Sequence, residues 1–258
     1  MLQKQNIILD QQKKIVAAAN LEDFYGSVSD AYNSIEEIII DLDTGNFTDL
    51  DPSGYDLSKE LQDNSKYINL SSAEDIATIK VRENYSKVFL EYRDDELNTV
   101  ILPVRGYGLW GILYGYLAIS NDLNTIVGLE FYEHKETPGL GAEIDNPAWK
   151  ALWNGKKLFD DEGNLLIKVV KGKVAMNEAD SYYKVDGLSG ATLTSNGVTN
   201  LLAFWLGDLG YLKFLLSILN PQYAYFSNFK FENFNSFVVN SLSIGKALPN
   251  PAALPSGF

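Results

Sequence analysis

Between Ile38 and Val170 the chain is a succession of short β-forming runs separated by turn residues, and helical spacing of apolar residues is mostly confined to its two ends. That distribution constrains the fold more than any other feature. It predicts an α+β domain, a mixed or mostly antiparallel sheet flanked by short helices, and argues against a doubly wound nucleotide fold with a helix after every strand. Ile38–Leu42 with Asp43–Phe47 reads as strand, turn, strand. Val100–Val104 is a short apolar strand whose Pro103 places it near an edge or an end. Ile112–Ile119 and Thr125–Tyr132 are further strands, divided by the turn Asn121–Asn124, and Leu158–Phe159 with Leu165–Lys173 forms a hairpin.

Helical segments are expected over Leu2–Ala19, where Leu2, Leu9 and Val16 with Ile8 and Ile15 make one stripe, and over Val28–Glu37 and Pro147–Trp153. Two more follow, from Thr194 or Ser195 to Leu206 and over Tyr211–Leu219. Asp51–Lys80 is polar and broken by Pro52 and Gly54, so it reads as a loop with a short helix near Ala73–Ile76. Beyond Pro221 the composition turns to Asn, Ser, Phe and Tyr, and residues 220–258 form a tail, loose from about Pro249.

Several function classes fall away on composition. A net charge of −13 leaves no basic face for nucleic acid and does not favour anionic lipid. Cysteine is absent, which excludes disulfides, zinc–thiolate sites and cysteine-ligated iron–sulfur clusters. No apolar run reaches the ~18 residues a membrane span needs. Gly106–Gly111 matches the dinucleotide fingerprint in spacing, but the aromatic and β-branched run after it is a strand, whereas the fingerprint must open a helix. Asp41 and Asp43 lack the ligand pattern of a calcium loop and read as turn residues. His134, the one histidine, reads as structural, and Gly187–Ala191 misses the hydrolase elbow because Ala191 replaces its last glycine.

The stretch Val185–Val198 holds the densest set of small residues, a tight loop running into a helix. A hydroxyl of Thr194 or Ser195 could cap that helix. Unpaired N–H groups and the positive dipole end make such a start suited to a phosphate or another anion, with Thr192 in the loop beside it. On the loop alone, an ordinary capped helix after a glycine turn fits as well.

Three motifs together supply a resemblance. Asp186-Gly187-Leu188-Ser189-Gly190-Ala191-Thr192 resembles the flavinylation motif of the FMN-binding domains of bacterial respiratory complexes. Glu136-Thr137-Pro138-Gly139-Leu140-Gly141-Ala142-Glu143-Ile144 with Asn146–Trp149, and Pro103–Trp110, extend the match to the NqrC subunits of the Na⁺-translocating NADH:quinone oxidoreductases, over about Leu2 to Leu219. The resemblance implies FMN held as a phosphoester on Thr192, with Ser189, Gly190 and Ala191 beside the phosphate and Glu136, Thr137, Leu140 and Gly141 against the ring. Trp110 is a weaker ring candidate, since core packing suits it nearly as well. It also implies an electron relay with no acid–base residue and no NADH site, other subunits of the complex as partners, and a separate Mg²⁺-dependent flavin transferase for maturation. By the same likeness, residues 1–20 are the juxtamembrane end of an anchor in the bacterial inner membrane, residues 21–219 are an FMN-binding domain on the periplasmic side, and 220–258 is the tail. The FMN-carrying subunit of the Rnf electron-transport complex shares the threonine motif and the Glu136–Gly141 turn. A flavin-free interaction domain of the same fold is the alternative outside redox chemistry.

Overall fold

The computed structural model describes residues 2–175 and 177–219. Helices α1 (Leu2–Ala18), α2 (Glu22–Tyr25) and α3 (Val28–Asn33) lead into strand β1 (Ile35–Asp41). After α4 (Leu57–Glu60) come β2 (Tyr67–Asn69), β3 (Val81–Glu83), β4 (Tyr85–Arg93), β5 (Glu96–Tyr107), β6 (Ile112–Ser120) and β7 (Ile126–Glu133). Helix α5 (Pro147–Lys150), strands β8 (Lys168–Val169) and β9 (Lys184–Val185), and helices α6 (Thr192–Trp205) and α7 (Leu212–Leu219) complete the described chain.

The main sheet has five strands in the order β1-β4-β5-β6-β7, every pair antiparallel. Its middle strand explains the apolar run Val100–Val104. Val100, Leu102 and Val104 point to one face, where they pack with Val198, Leu201, Leu202 and Trp205 of α6. Ile101 points to the other, where Phe89, Tyr116 and Ala118 meet Ile15, Val16 and Ala18 of α1. A strand covered on both faces needs no polar alternation. The β4–β5 turn is Asp94-Asp95, with φ of 50° and 64°. Such paired left-handed residues make the two-residue hairpin turn whose twist matches its strands, and aspartate tolerates them.

Several local expectations change. Pro103 is inside the central strand rather than at its end. The β4 ladder stops at the Phe89–Ile101 pair, so beyond it β6 is the one strand paired with β5, the Pro103 carbonyl accepts from the Tyr211 hydroxyl, and the missing N–H at Pro103 breaks no bond to β4. The segment Val28–Glu37 is helical only to Asn33, because Ser34 closes the turn and Ile35–Glu37 pairs with β4. Ala73–Ile76 is turn, held by Asp75, whose carboxylate accepts the Ile79 and Lys80 N–H groups. The Leu158–Lys173 hairpin reduces to one bridge, Phe159 with Leu165, and Lys168–Val169 instead pairs in parallel with β9 just ahead of the small-residue loop. The α1 stripe buries Ile15 and Val16, whereas Ile8 and Leu9 are exposed. The tail 220–258 lies outside the described residues.

Helix α6 is seated on the sheet by close approach. A Cβ on Gly106 would fall 2.5 Å from Leu201 Cβ, and one on Gly197 would fall 2.4 Å from the Tyr107 carbonyl oxygen. Gly106, the first glycine of the apparent dinucleotide fingerprint, and Gly197 of α6 thus let the helix lie against a strand end. At the far end of α6 the Trp205 Nε1–H donates to the Arg105 carbonyl at 2.7 Å, and its ring stacks on Tyr211 with centroids 5.2 Å apart.

Candidate flavin site at the start of helix α6

Helix α6 begins at Thr192, two residues earlier than its hydroxyls suggest, and the residue in the cap position is Ala191. Ala191 gives no side-chain cap; its carbonyl accepts the Ser195 N–H at 3.0 Å. Both predicted capping hydroxyls are engaged elsewhere. The Ser195 hydroxyl accepts the Leu188 N–H at 3.1 Å, closing the loop from inside, and the Thr194 hydroxyl donates to Glu136 Oε2 at 2.5 Å. Among the described residues no protein group accepts from the N–H of Thr192, Leu193 or Thr194, and the Thr192 hydroxyl has no hydrogen-bond partner. Thr192 and its neighbour Leu193 are exposed. A fourteen-residue helix therefore presents its unpaired N–H groups and its dipole beside a free hydroxyl.

The loop ahead of it is tied down from behind. One oxygen of Asp186 accepts the Val174 N–H at 2.8 Å, the Gly187 N–H donates to the Gly172 carbonyl at 2.7 Å, and the Asp186 carbonyl accepts from Trp149 Nε1 at 2.8 Å. Trp149 and Trp153 pack edge to face with centroids 5.5 Å apart, both buried, so this pair is core, as its spacing predicts. Gly190 sits at φ 72°, and a Cβ there would come 2.9 Å from Leu140 Cδ2. The threonine loop and the proline–glycine turn are therefore neighbours.

Glu136 joins three segments at one carboxylate. Its Oε1 accepts the N–H groups of Leu109 and Trp110, each at 2.9 Å, and its Oε2 receives the Thr194 hydroxyl. The turn after it is closed by the Thr137 carbonyl, which accepts the Leu140 and Ala142 N–H groups. Gly141 is buried against the Glu136 and Thr194 oxygens. His134 accepts the Glu136 N–H through Nδ1 at 3.2 Å and meets Asp145 through Nε2 at 2.8 Å, which is the structural role expected of it.

The structure thus gathers Trp110, Glu136, Leu140, Gly141, Gly190, Ala191 and Thr192 around the start of α6. Ser189 is exposed, and neither its hydroxyl nor that of Thr137 is hydrogen-bonded among the described residues. Trp110 is 61% exposed and Leu140 43%, so Trp110 is not core; both faces are free to meet a flat apolar ring. Thr194 was not legible as part of this cluster, because a hydroxyl in a first turn reads as a cap. Its partner, a glutamate preceding a glycine turn, was the signal available.

Residues 108–207 match the FMN-binding domain family. The chain is 50% identical over 221 residues to the C subunit of the Na(+)-translocating NADH-quinone reductase of Pseudomonas aeruginosa, covering 84% of this chain and 85% of that protein. It is 47% identical over 217 residues to the protein of the same name from Vibrio anguillarum, covering 84% of each. The crystal structure of Shewanella oneidensis NqrC superimposes with a TM-score of 0.72 at 34% identity, over 84% of this chain and 99% of that one. Of the respiratory families that the sequence motifs fit, these similarities select one, and the chain belongs to the NqrC family of the Na⁺-translocating NADH-quinone reductases.

Proposed function

We propose that this chain carries FMN as a phosphoester on Thr192 and relays electrons through it within a Na⁺-translocating NADH-quinone reductase. Membership of the family makes it an electron-carrying, FMN-binding subunit of a membrane complex, with the other subunits as its partners. The finer reading rests on one observation, a free Thr192 hydroxyl at the first position of α6 beside N–H groups that nothing else in the described chain uses. A phosphate esterified there would be held by those N–H groups and by the helix dipole. The residues present also fit the ring. Gly190 and Gly141 leave the turn and the loop in near contact, and Leu140 and Trp110 offer apolar faces beside them.

FMN supplies the one- and two-electron chemistry; this chain supplies position. Ala191 has no side chain that would compete for the helix start, Ser195 closes the loop from inside, and Asp186 fastens it to Val174. No general acid or base is required for electron relay. Esterification belongs to a separate Mg²⁺-dependent flavin transferase, to which exposed Ser189, Gly190 and Thr192 are accessible. No described helix is long and apolar enough to cross a membrane. Attachment of residues 1–20 to an inner-membrane anchor, with the domain on the periplasmic side, is part of the same proposal and is tested by protease protection in intact spheroplasts.

Co-expression with the transferase should add the mass of one FMN less a water, with colour that survives denaturation. Thr192→Ala should abolish the attachment, while Ser189→Ala should only weaken it. Covalent flavin persisting in Thr192→Ala, or mapping by peptide mass to another residue, refutes the assignment.

A further inference from the structure

Glu136 is built into the molecule as a buried charge. It is 6% exposed, and its three hydrogen-bond partners, the N–H groups of Leu109 and Trp110 and the hydroxyl of Thr194, all act as donors. Among the described residues no lysine or arginine pairs with it, so its negative charge is shared among dipoles rather than cancelled by a cation. Two glycines make its room. A Cβ on Gly108 would lie 2.6 Å from Oε1, and one on Gly141 would lie 2.4 Å from Oε2. The carboxylate is held two residues along α6 from Thr192 and next to the dipole's positive end, which favours a negative charge there.

We infer that Glu136 is a positioning residue for the flavin, fixing the frame of its site from beneath and biasing the bound flavin toward its oxidised form through its buried negative charge. The inference rests on the reading that FMN is carried on Thr192. Reduction brings negative charge near one that is already there, and a buried charge is screened less than an exposed one. The phosphate on Thr192 is common to every variant compared and drops out of the comparison.

The test is the flavin midpoint potential, read by dye-equilibrated reductive titration of the flavinylated full chain. Glu136→Gln keeps the shape and an oxygen to accept the Leu109 and Trp110 N–H groups, while its amide donates to Thr194. The charge is gone, and the equilibrium constant for reduction should rise about threefold to tenfold, a tenfold rise being 59 mV for one electron. Thr194→Val keeps the charge and removes one donor that shields it, so the same constant should fall. Opposite signs are the signature of the charge. A role in packing alone moves neither potential, or both in the same direction, and either result overturns the inference. Should Glu136→Gln take up no flavin, Thr194→Val decides: a lower potential supports the inference, and an unchanged or higher one overturns it. Peptide mapping keeps the two readings apart, because flavin found off Thr192 is a failure of the attachment site, whereas flavin on Thr192 with potentials of like sign is a failure of the role given to Glu136.

Discussion

Two glycines two residues apart in one turn should respond to alanine for different reasons and by different amounts. Gly139 lies at φ 74°, and a Cβ there would meet nothing within 4 Å. Gly139→Ala therefore carries only left-handed backbone strain, about 1–2 kcal/mol, offset by roughly 0.4–1 kcal/mol from a stiffer unfolded chain. Gly141 needs no positive φ, but its Cβ would lie 2.4 Å from Glu136 Oε2, 2.6 Å from Thr194 Oγ1 and 3.0 Å from Glu136 Cβ. Overpacking of that kind costs about 1–3 kcal/mol, and parting Thr194 from a charged acceptor adds about 1.5–3 kcal/mol. Gly141→Ala should thus lose about 2.5–6 kcal/mol, which for a domain of this size is a fall of roughly 5–24 °C in melting temperature, against a few degrees at most for Gly139→Ala. Urea unfolding of the two variants measures the difference. Removing the Thr194 hydroxyl first should relieve part of the clash, so Gly141→Ala should cost at least about 1 kcal/mol less in a Thr194→Ala background. Equal losses at 139 and 141, or a full loss at 141 without the Thr194 hydroxyl, would refute the reasoning.

The Arg105–Glu83 pair, 2.7 Å apart and buried beneath α6, should be intolerant of losing one partner. Glu83→Gln leaves the guanidinium uncompensated and should cost about 3–5 kcal/mol in urea unfolding, while replacing both residues by apolar ones of similar volume should cost much less. Burial pushes the Asp122 carboxyl up, but hydrogen bonds from the Thr125 side chain and N–H and from the Asn124 N–H, with Lys157 beside it, outweigh that and hold it below the ordinary aspartate value of 3.8. Its stabilisation is therefore complete above that value and fades as pH falls through the lower folded one. Asp122→Asn should lose up to about 1 kcal/mol at pH 7, given its partial exposure, with the gap from wild type narrowing at pH 3 and below.

Four strands, at Ile38–Leu42, Val100–Val104, Ile112–Ile119 and Thr125–Tyr132, were legible because turn residues such as Asn121–Asn124 punctuate the chain where it reverses, whereas β4 and its Asp94-Asp95 turn were not singled out, since acidic residues there read as a solvated face. The central position of β5 was not legible, since whether a proline's missing N–H faces a neighbour depends on where the β4 ladder ends, and that is a tertiary fact. The start of α6 was misplaced by two residues for a related reason. Hydroxyls in a first turn ordinarily cap, but here Ser195 closes its own loop and Thr194 is taken by a residue fifty-eight positions away. In both cases a local rule gave way to a long-range partner.

The same separation runs through the candidate site. Motif reading assigned Glu136 to the ring alongside Leu140 and Trp110, because all three belong to short signatures that agree. The structure divides them by depth. Glu136 is buried with its oxygens turned to the backbone of one loop and the first turn of α6, whereas Leu140, Trp110 and Leu193 are exposed on the surface that those bonds hold in place. An apolar face costs little ordering on binding when the backbone carrying it is already fixed. On the function proposed above, the exposed side chains would take the cofactor at little ordering cost, because the buried carboxylate ties together the segments that present them. Sequence records the residue types of both layers, but not which of them faces inward.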